Sequence, residues 1–213
     1  MTTGSVDGAS TSARSAYLGA ASPQPSSLPV ATPAELAASP RTQGVSEARR
    51  GVRSAFALLA FIGIAALVAS FGSFVSAPAI DGWYADTAKP MWNPPNAVFG
   101  PVWAVLYISM SLAAWLVWRS PDSDLRSRAL RIYVVQLAIN AVWTPAFFGL
   151  GALLGAPGVW IALVIIVVLD FVILGAIIRF GDVNKIAATL LIPYWLWALY
   201  ATTLNAAIAV LAR

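Results

Sequence analysis

IYVVQLAINAVWTPAFFGLGALLGAPGVWIALVIIVVL, residues 132–169, runs for 38 positions without one Asp, Glu, Lys or Arg. A helix needs about 20 apolar residues to cross roughly 30 Å of hydrocarbon, so this stretch is too long for one span. Gly149, Gly151, Gly155, Pro157 and Gly158 supply the break, which predicts the end of one helix and the start of another. Three more uncharged runs, 54–80, 91–118 and 186–212, flank it. None shows the alternating ten-residue pattern of a membrane barrel. The expected fold is an all-α membrane protein, a five-transmembrane-helix bundle with spans near 53–75, 99–119, 127–149, 157–179 and 187–210.

Composition excludes the soluble alternative. Of 213 residues, 59% are hydrophobic and only 10% are charged. Soluble domains carry about 25% charged residues, and this deficit leaves too little polar surface to face water. The net charge of +4 does not imply nucleic acid, because the basic residues sit at span ends. Arg49, Arg50 and Arg53 precede the first span. Arg119, Arg126, Arg128 and Arg131 fall between the second and third, and Arg179 and Lys185 between the fourth and fifth. Five crossings place all nine on one side, against Lys89 and Arg213 on the other. By the positive-inside rule the N-terminus is cytoplasmic in a bacterial inner membrane. An organelle membrane is the alternative.

Cysteine and histidine are both absent. A Cys–His zinc site and a histidine-ligated haem are therefore excluded. A flat ring ligand held here would rely on packing, hydrogen bonds, or a Tyr or Met ligand, which suits a metal-free molecule better than a metal complex.

Residues 1–50 differ from the rest: Ala, Ser, Thr and Pro fill 29 of the 50 positions without a periodic apolar face. Such a segment cannot bury enough surface to offset its ordering entropy, and a disordered tail is expected. An organelle transit peptide is the competing reading. The second unit, 51–213, is the membrane domain. Its first loop, 76–98, carries Trp83-Tyr84 and Lys89-Pro90-Met91-Trp92-Asn93-Pro94-Pro95. Proline restricts its own φ and pushes its predecessor toward extended geometry. The loop reads as a semi-rigid, non-helical lid on the bundle, or as an interfacial aromatic belt.

Inside the spans, polar residues fall on helical faces. Trp103, Tyr107, Met110 and Ala114 share one face of the second span. Tyr133, Gln136, Asn140 and Trp143 share one of the third, and Pro193, Trp197, Ala201 and Asn205 one of the fifth. Polar side chains are costly in lipid and usually turn toward the bundle interior, so the three stripes should converge. Indole and phenol walls with a few amides suit a large, flat, apolar ligand held by stacking. Helix–helix hydrogen bonding is the plainer reading for Gln136 and Asn140. Asp170, amid Val168, Leu169 and Phe171, costs about 2.5–3.5 kcal/mol at a helix centre. It must be protonated or partnered, for example by a Tyr hydroxyl or Trp indole, and reads as a packing partner or a functional site. Small residues at 65, 69, 73 and 77, and at 141, 145 and 149, permit close helix approach within the chain or in a homodimer.

The segment Trp83-Tyr84, Lys89-Pro90-x-Trp92-x-Pro94-Pro95, Gly100-Pro101-x-Trp103 and Leu106-Tyr107 resembles the signature of the tryptophan-rich sensory protein/translocator protein (TspO/MBR) family, which includes the peripheral benzodiazepine receptor. Gln136-Leu137-x-x-Asn140-x-x-Trp143 and Pro193-Tyr194-x-x-Trp197-x-x-x-Ala201-Thr202-Thr203-Leu204-Asn205 extend the resemblance over about 52–211. It implies a five-helix protein, often a dimer, that binds protoporphyrin IX or related tetrapyrroles under the first loop and requires no cofactor. The ligand-binding set it suggests, together with the stripes, is Trp83, Lys89, Pro90, Trp92, Trp103, Tyr107, Asn140, Trp143, Trp197 and Ala201. Trp103 and Trp197 would be the catalytic pair if the protein degrades porphyrin under light and oxygen. Sensing through binding, photochemical degradation, and transport of tetrapyrroles or sterols are thus three expectations. The chain end Ala-Ala-Ile-Ala-Val-Leu-Ala-Arg lacks the tyrosine of the cholesterol pattern of mammalian members, which argues against sterol transport. Asp170 inherits no role.

Overall fold

The computed structural model describes residues 40–212, together with Met1 and Thr32. The expected tail therefore lies outside the described residues up to position 39, those two excepted. From Pro40 onward the chain is helical, so the last eleven residues assigned to the tail open the first helix instead. The compact unit Glu47–Arg213 holds the helical bundle.

Helix α1 spans Pro40–Asp81, α2 is the single turn Trp83–Asp86, and α3 covers Asn96–Arg119. Helix α4 spans Asp124–Thr144 and continues through a π-helical stretch, Pro145–Leu150, into the short α5, Gly151–Leu154. Helices α6, Ala156–Gly181, and α7, Lys185–Leu211, complete the chain. Five segments among the described residues are long and apolar enough to cross a membrane: Ser46–Asp81, Asn96–Arg119, Asp124–Leu154, Ala156–Gly181 and Lys185–Leu211. The chain is an all-α, multi-pass integral membrane protein.

Two boundaries differ from expectation. The third span does not stop at Gly149. Gly149 and Gly151 stay helical, and the break falls at Gly155 alone, where φ is +64°. Only a glycine takes that backbone without strain, whereas glycine within an apolar span is merely a weak helix former. Pro145 cannot donate a backbone hydrogen bond, and the wider π turn begins at that residue. The first span likewise runs past 75 to Asp81 with Pro78 inside it, and α2 forms a further turn. The lid is therefore helical at 76–81 and 83–86. It is non-helical through the stretch 87–95 that holds Pro90, Pro94 and Pro95.

The core is built by α3, α4, α6 and α7. Met110, Ala113, Ala114 and Val117 of α3 are fully buried against Tyr133, Ile173, Phe180, Ala187, Leu191 and Tyr194. Side-chain caps open two helices: Ser123 accepts from the Arg126 N–H, and Asn184 from the Ala187 N–H. Outward positions such as Val105, Val134, Val164, Phe171 and Leu196 are apolar and exposed, as a lipid-facing surface requires. Helix α1 stands apart from this core. Of its described side chains only Ala65 and Ser76 are buried. Phe61 meets Tyr133 edge-on at 5.9 Å, and Ser111 donates to the Phe61 carbonyl.

Candidate functional site: an aromatic cavity under the first loop

A cavity of about 820 Å³ lies between α1, α3, the α4–π segment and α7. Trp103 and Tyr107 reach it from α3, Asn140 and Trp143 from α4, and Trp197 and Ala201 from α7. The three stripes converge because residues three or four apart stack on one helix face, and each face is turned inward by the apolar surface opposite. Convergence ends at the stripe ends. Met110 and Ala114 sit below the cavity in the core, and Pro193 is exposed.

Below its floor runs a chain of hydrogen bonds. The Tyr107 hydroxyl donates to Asn140 Oδ1 at 2.9 Å, and Asn140 Nδ2 donates to the Tyr194 hydroxyl at 3.0 Å. Tyr194 donates onward to Gln136 Oε1 at 2.9 Å. Gln136, Asn140 and Tyr194 are all at most 2% exposed. Asn140 thus both bridges helices and orients the Tyr107 ring that faces the cavity, so the packing role expected of it and the pocket role coincide. We expect Asn140→Leu to cost about 1 kcal/mol: intramembrane hydrogen bonds average about 0.6, and stranding the Tyr107 hydroxyl adds to that. A double-mutant cycle with Tyr107→Phe, read by thermal unfolding in detergent, checks it; additive losses would contradict the bridge.

The far wall is aromatic. Trp143 stacks on Phe147 at 5.5 Å and donates through Nε1 to Asn205 Oδ1 at 3.2 Å, while Asn205 Nδ2 donates to the Val159 carbonyl. Phe99 meets Trp197 edge-on at 5.8 Å. The Trp197 indole N–H is buried without a hydrogen-bond partner among the described residues. Among the described residues lining the cavity none is charged.

The lid residues do something different from the stripes. Trp83, Lys89, Pro90 and Trp92 do not line the cavity; Tyr84 does. Trp83 wedges against Phe147 and leaves no room for a side chain at Gly151, whose added Cβ would meet the indole at 2.5 Å. Lys89 donates to the carbonyls of Ala85 and Thr87, closing the end of α2, and its ammonium lies 4.7 Å over the Tyr84 ring. Pro90 is buried. Trp92 is 56% exposed, and its carbonyl accepts from the Tyr200 hydroxyl at 2.7 Å, tying the lid to α7. Tyr84 donates to Asn93 Oδ1 at 3.0 Å; burial pushes this hydroxyl above the ordinary tyrosine range, and the Asn93 bond opposes the shift.

Sequence reasoning missed Tyr84, Phe99, Phe147 and Phe148 as cavity walls. Two of these are the doublet Phe147-Phe148, and the four-residue spacing of Phe147 from Trp143 was the available signal. It also missed α1, whose Ser70, Ser73 and Ser76, spaced by three, face the same space. The small-residue stripe there (Ala69, Ser73, Ala77) is part of the cavity wall.

Asp170 stands elsewhere, between α6 and α7. Its partner is a threonine rather than a tyrosine or indole: Thr202 donates to Oδ2 at 2.7 Å. The Trp195 indole donates instead to the Asp170 backbone carbonyl at 3.1 Å. A small cleft there, lined by Val167, Phe171 and Trp195, is separate from the aromatic cavity.

A family model described as the TspO/MBR family matches residues 60–211. The chain belongs to the TspO/MBR family. The human translocator protein is 36% identical over 145 residues, 65% of this chain and 82% of that protein. The tryptophan-rich sensory protein of Cereibacter sphaeroides is 37% identical over 147 residues, covering 66% and 87% of the two chains. The tryptophan-rich protein TspO of Archaeoglobus fulgidus is 36% identical over 140 residues, 66% of this chain and 86% of that one. The matched region holds the whole cavity, since its described lining begins at Ala69 and ends at Ile208.

Proposed function

We propose that this membrane protein binds a flat tetrapyrrole of the protoporphyrin IX class in the aromatic cavity and acts as a sensory or regulatory protein. The observation that carries the reading is that Trp103 and Trp197, from different helices, line one uncharged cavity of about 820 Å³. That volume falls within the roughly 300–1,000 Å³ of small-molecule sites. Indole faces offer stacking area, and the Trp197 N–H, with no partner among the described residues, offers a donor to a ring substituent. The lack of charged lining groups favours a ligand whose polar groups project past the rim. Self-association as a homodimer belongs to the same reading; Leu67 and Phe74 of α1 are exposed and offer apolar area for it.

Titration with protoporphyrin IX, followed by tryptophan fluorescence, tests the proposal. Saturable quenching is expected, with affinity roughly fivefold or more weaker in Trp103→Ala and in Trp197→Ala, since a stacked aromatic contact contributes about 1–3 kcal/mol. Unchanged affinity in both variants would overturn it. Photochemical degradation is the second reading, because the same two indoles would be the side chains nearest the ring. It predicts faster loss of porphyrin absorbance under light with the protein than in detergent alone, and an equal rate excludes it.

A further inference from the structure

The end of the bundle where α1 enters and α3 leaves carries a cluster that the cavity does not use. Trp115 Nε1 donates to the Ser54 carbonyl at 2.9 Å, which fixes the two helices side by side. The Arg53 guanidinium lies 5.6 Å from the centroid of the Trp118 ring, and the Arg119 guanidinium 4.5 Å from that of Trp115. Trp115, Trp118 and Arg119 occupy a single turn of α3, so two guanidinium planes are held on adjacent indoles. Among the described residues the one ion pair is Arg126–Asp122; neither Arg53 nor Arg119 has a carboxylate in reach.

Depth identifies what such a pair would meet. Arg53 immediately precedes the uncharged run 54–80, and Arg119 immediately follows the run 91–118. Both therefore sit where hydrocarbon gives way to headgroups, the level that tryptophan also prefers. Arg49 and Arg50 continue the positive charge one turn outward along α1. A planar guanidinium held against a ring is preorganised for bidentate contact with phosphate oxygens.

We propose that the Arg53–Trp118 and Arg119–Trp115 pairs form a binding site for the phosphate of an anionic phospholipid. A zwitterionic lipid would bring a quaternary ammonium to the same cations and lose most of the attraction. The lipid would bind between α1 and α3 at the basic end, where it would hold the loosely packed α1 against the bundle.

Native mass spectrometry of the full-length protein with phosphatidylglycerol or phosphatidylcholine tests this. The wild type should retain phosphatidylglycerol preferentially. Arg53→Gln with Arg119→Gln should reduce that retention roughly tenfold or more without changing phosphatidylcholine. Arg53→Lys with Arg119→Lys, which keeps the charge but loses the planar fork, should fall between, and it guards against a folding defect in the glutamine pair. Arg128→Gln, in the first turns of α4, should match wild type. Equal retention of both lipids, or wild-type retention in the glutamine pair, would overturn the proposal. Displacement of phosphatidylglycerol by millimolar inorganic phosphate would overturn the assignment to a lipid.

Discussion

Gly158→Ala should lower the thermal midpoint in detergent by roughly 6–12 °C, the equivalent of about 3 kcal/mol for a chain of this size. Gly158 opens α6 directly after the Gly155 break, where the chain turns back on the π segment. A Cβ there would overlap the Leu150 carbonyl and lie 2.8 Å from the Gly151 nitrogen. These are backbone atoms, so no side chain can rotate away. The segment that must shift is the one that carries Phe147 and Phe148 to the cavity wall. Gly63→Ala is the control. It lies in α1 with nothing within 4 Å of the added methyl, and it should be neutral or gain up to about 1 kcal/mol from helix propensity. Equal midpoints for the two variants would contradict the close crossing.

Ala201→Phe should weaken protoporphyrin IX binding more than tenfold while leaving the unfolding midpoint within about 2 °C of wild type. Ala201 is buried in the cavity wall one turn from both Trp197 and Asn205 on α7. A benzyl ring there projects into existing space, so the overpacking that makes core insertions costly does not arise. It takes the volume a stacked ligand would need. Fluorescence titration and a thermal scan on one preparation separate the effects. Lost binding with a lowered midpoint would mean that the wall itself had moved. Retained binding would place the ligand elsewhere.

The bundle was legible because a membrane imposes a rule that reads locally. Charge-free runs of span length report crossings directly, and the five helices match them. The convergence of Trp103, Asn140 and Trp197 was legible for a similar reason: each lies on a polar–aromatic stripe at helical spacing, and lipid gives such a stripe no reason to face outward. What composition could not convey was backbone detail. Gly149, Gly151 and Gly155 look alike as letters, yet only Gly155 adopts positive φ. The choice depends on how α6 docks on the π segment, a tertiary matter.

The lid is where the sequence separated one side chain's place from another's least, for the same reason. Lys89 and Trp92 stand in a motif rich in ligand-like residues. Lys89, though, is held by the carbonyls at the end of α2, and Trp92 contributes its backbone to Tyr200 while its ring stays exposed. Tyr84, beside the more conspicuous Trp83, is the one that faces the cavity. No spacing rule distinguishes neighbours in a loop that is part single-turn helix and part proline-fixed.

A structure of the full-length protein in lipid with protoporphyrin IX tests the central claim most directly. The account predicts the macrocycle between the α3 and α7 indoles, Trp103 and Trp197, beneath Tyr84. Porphyrin on the lipid-facing surface, with both indoles unchanged and untouched, would contradict it.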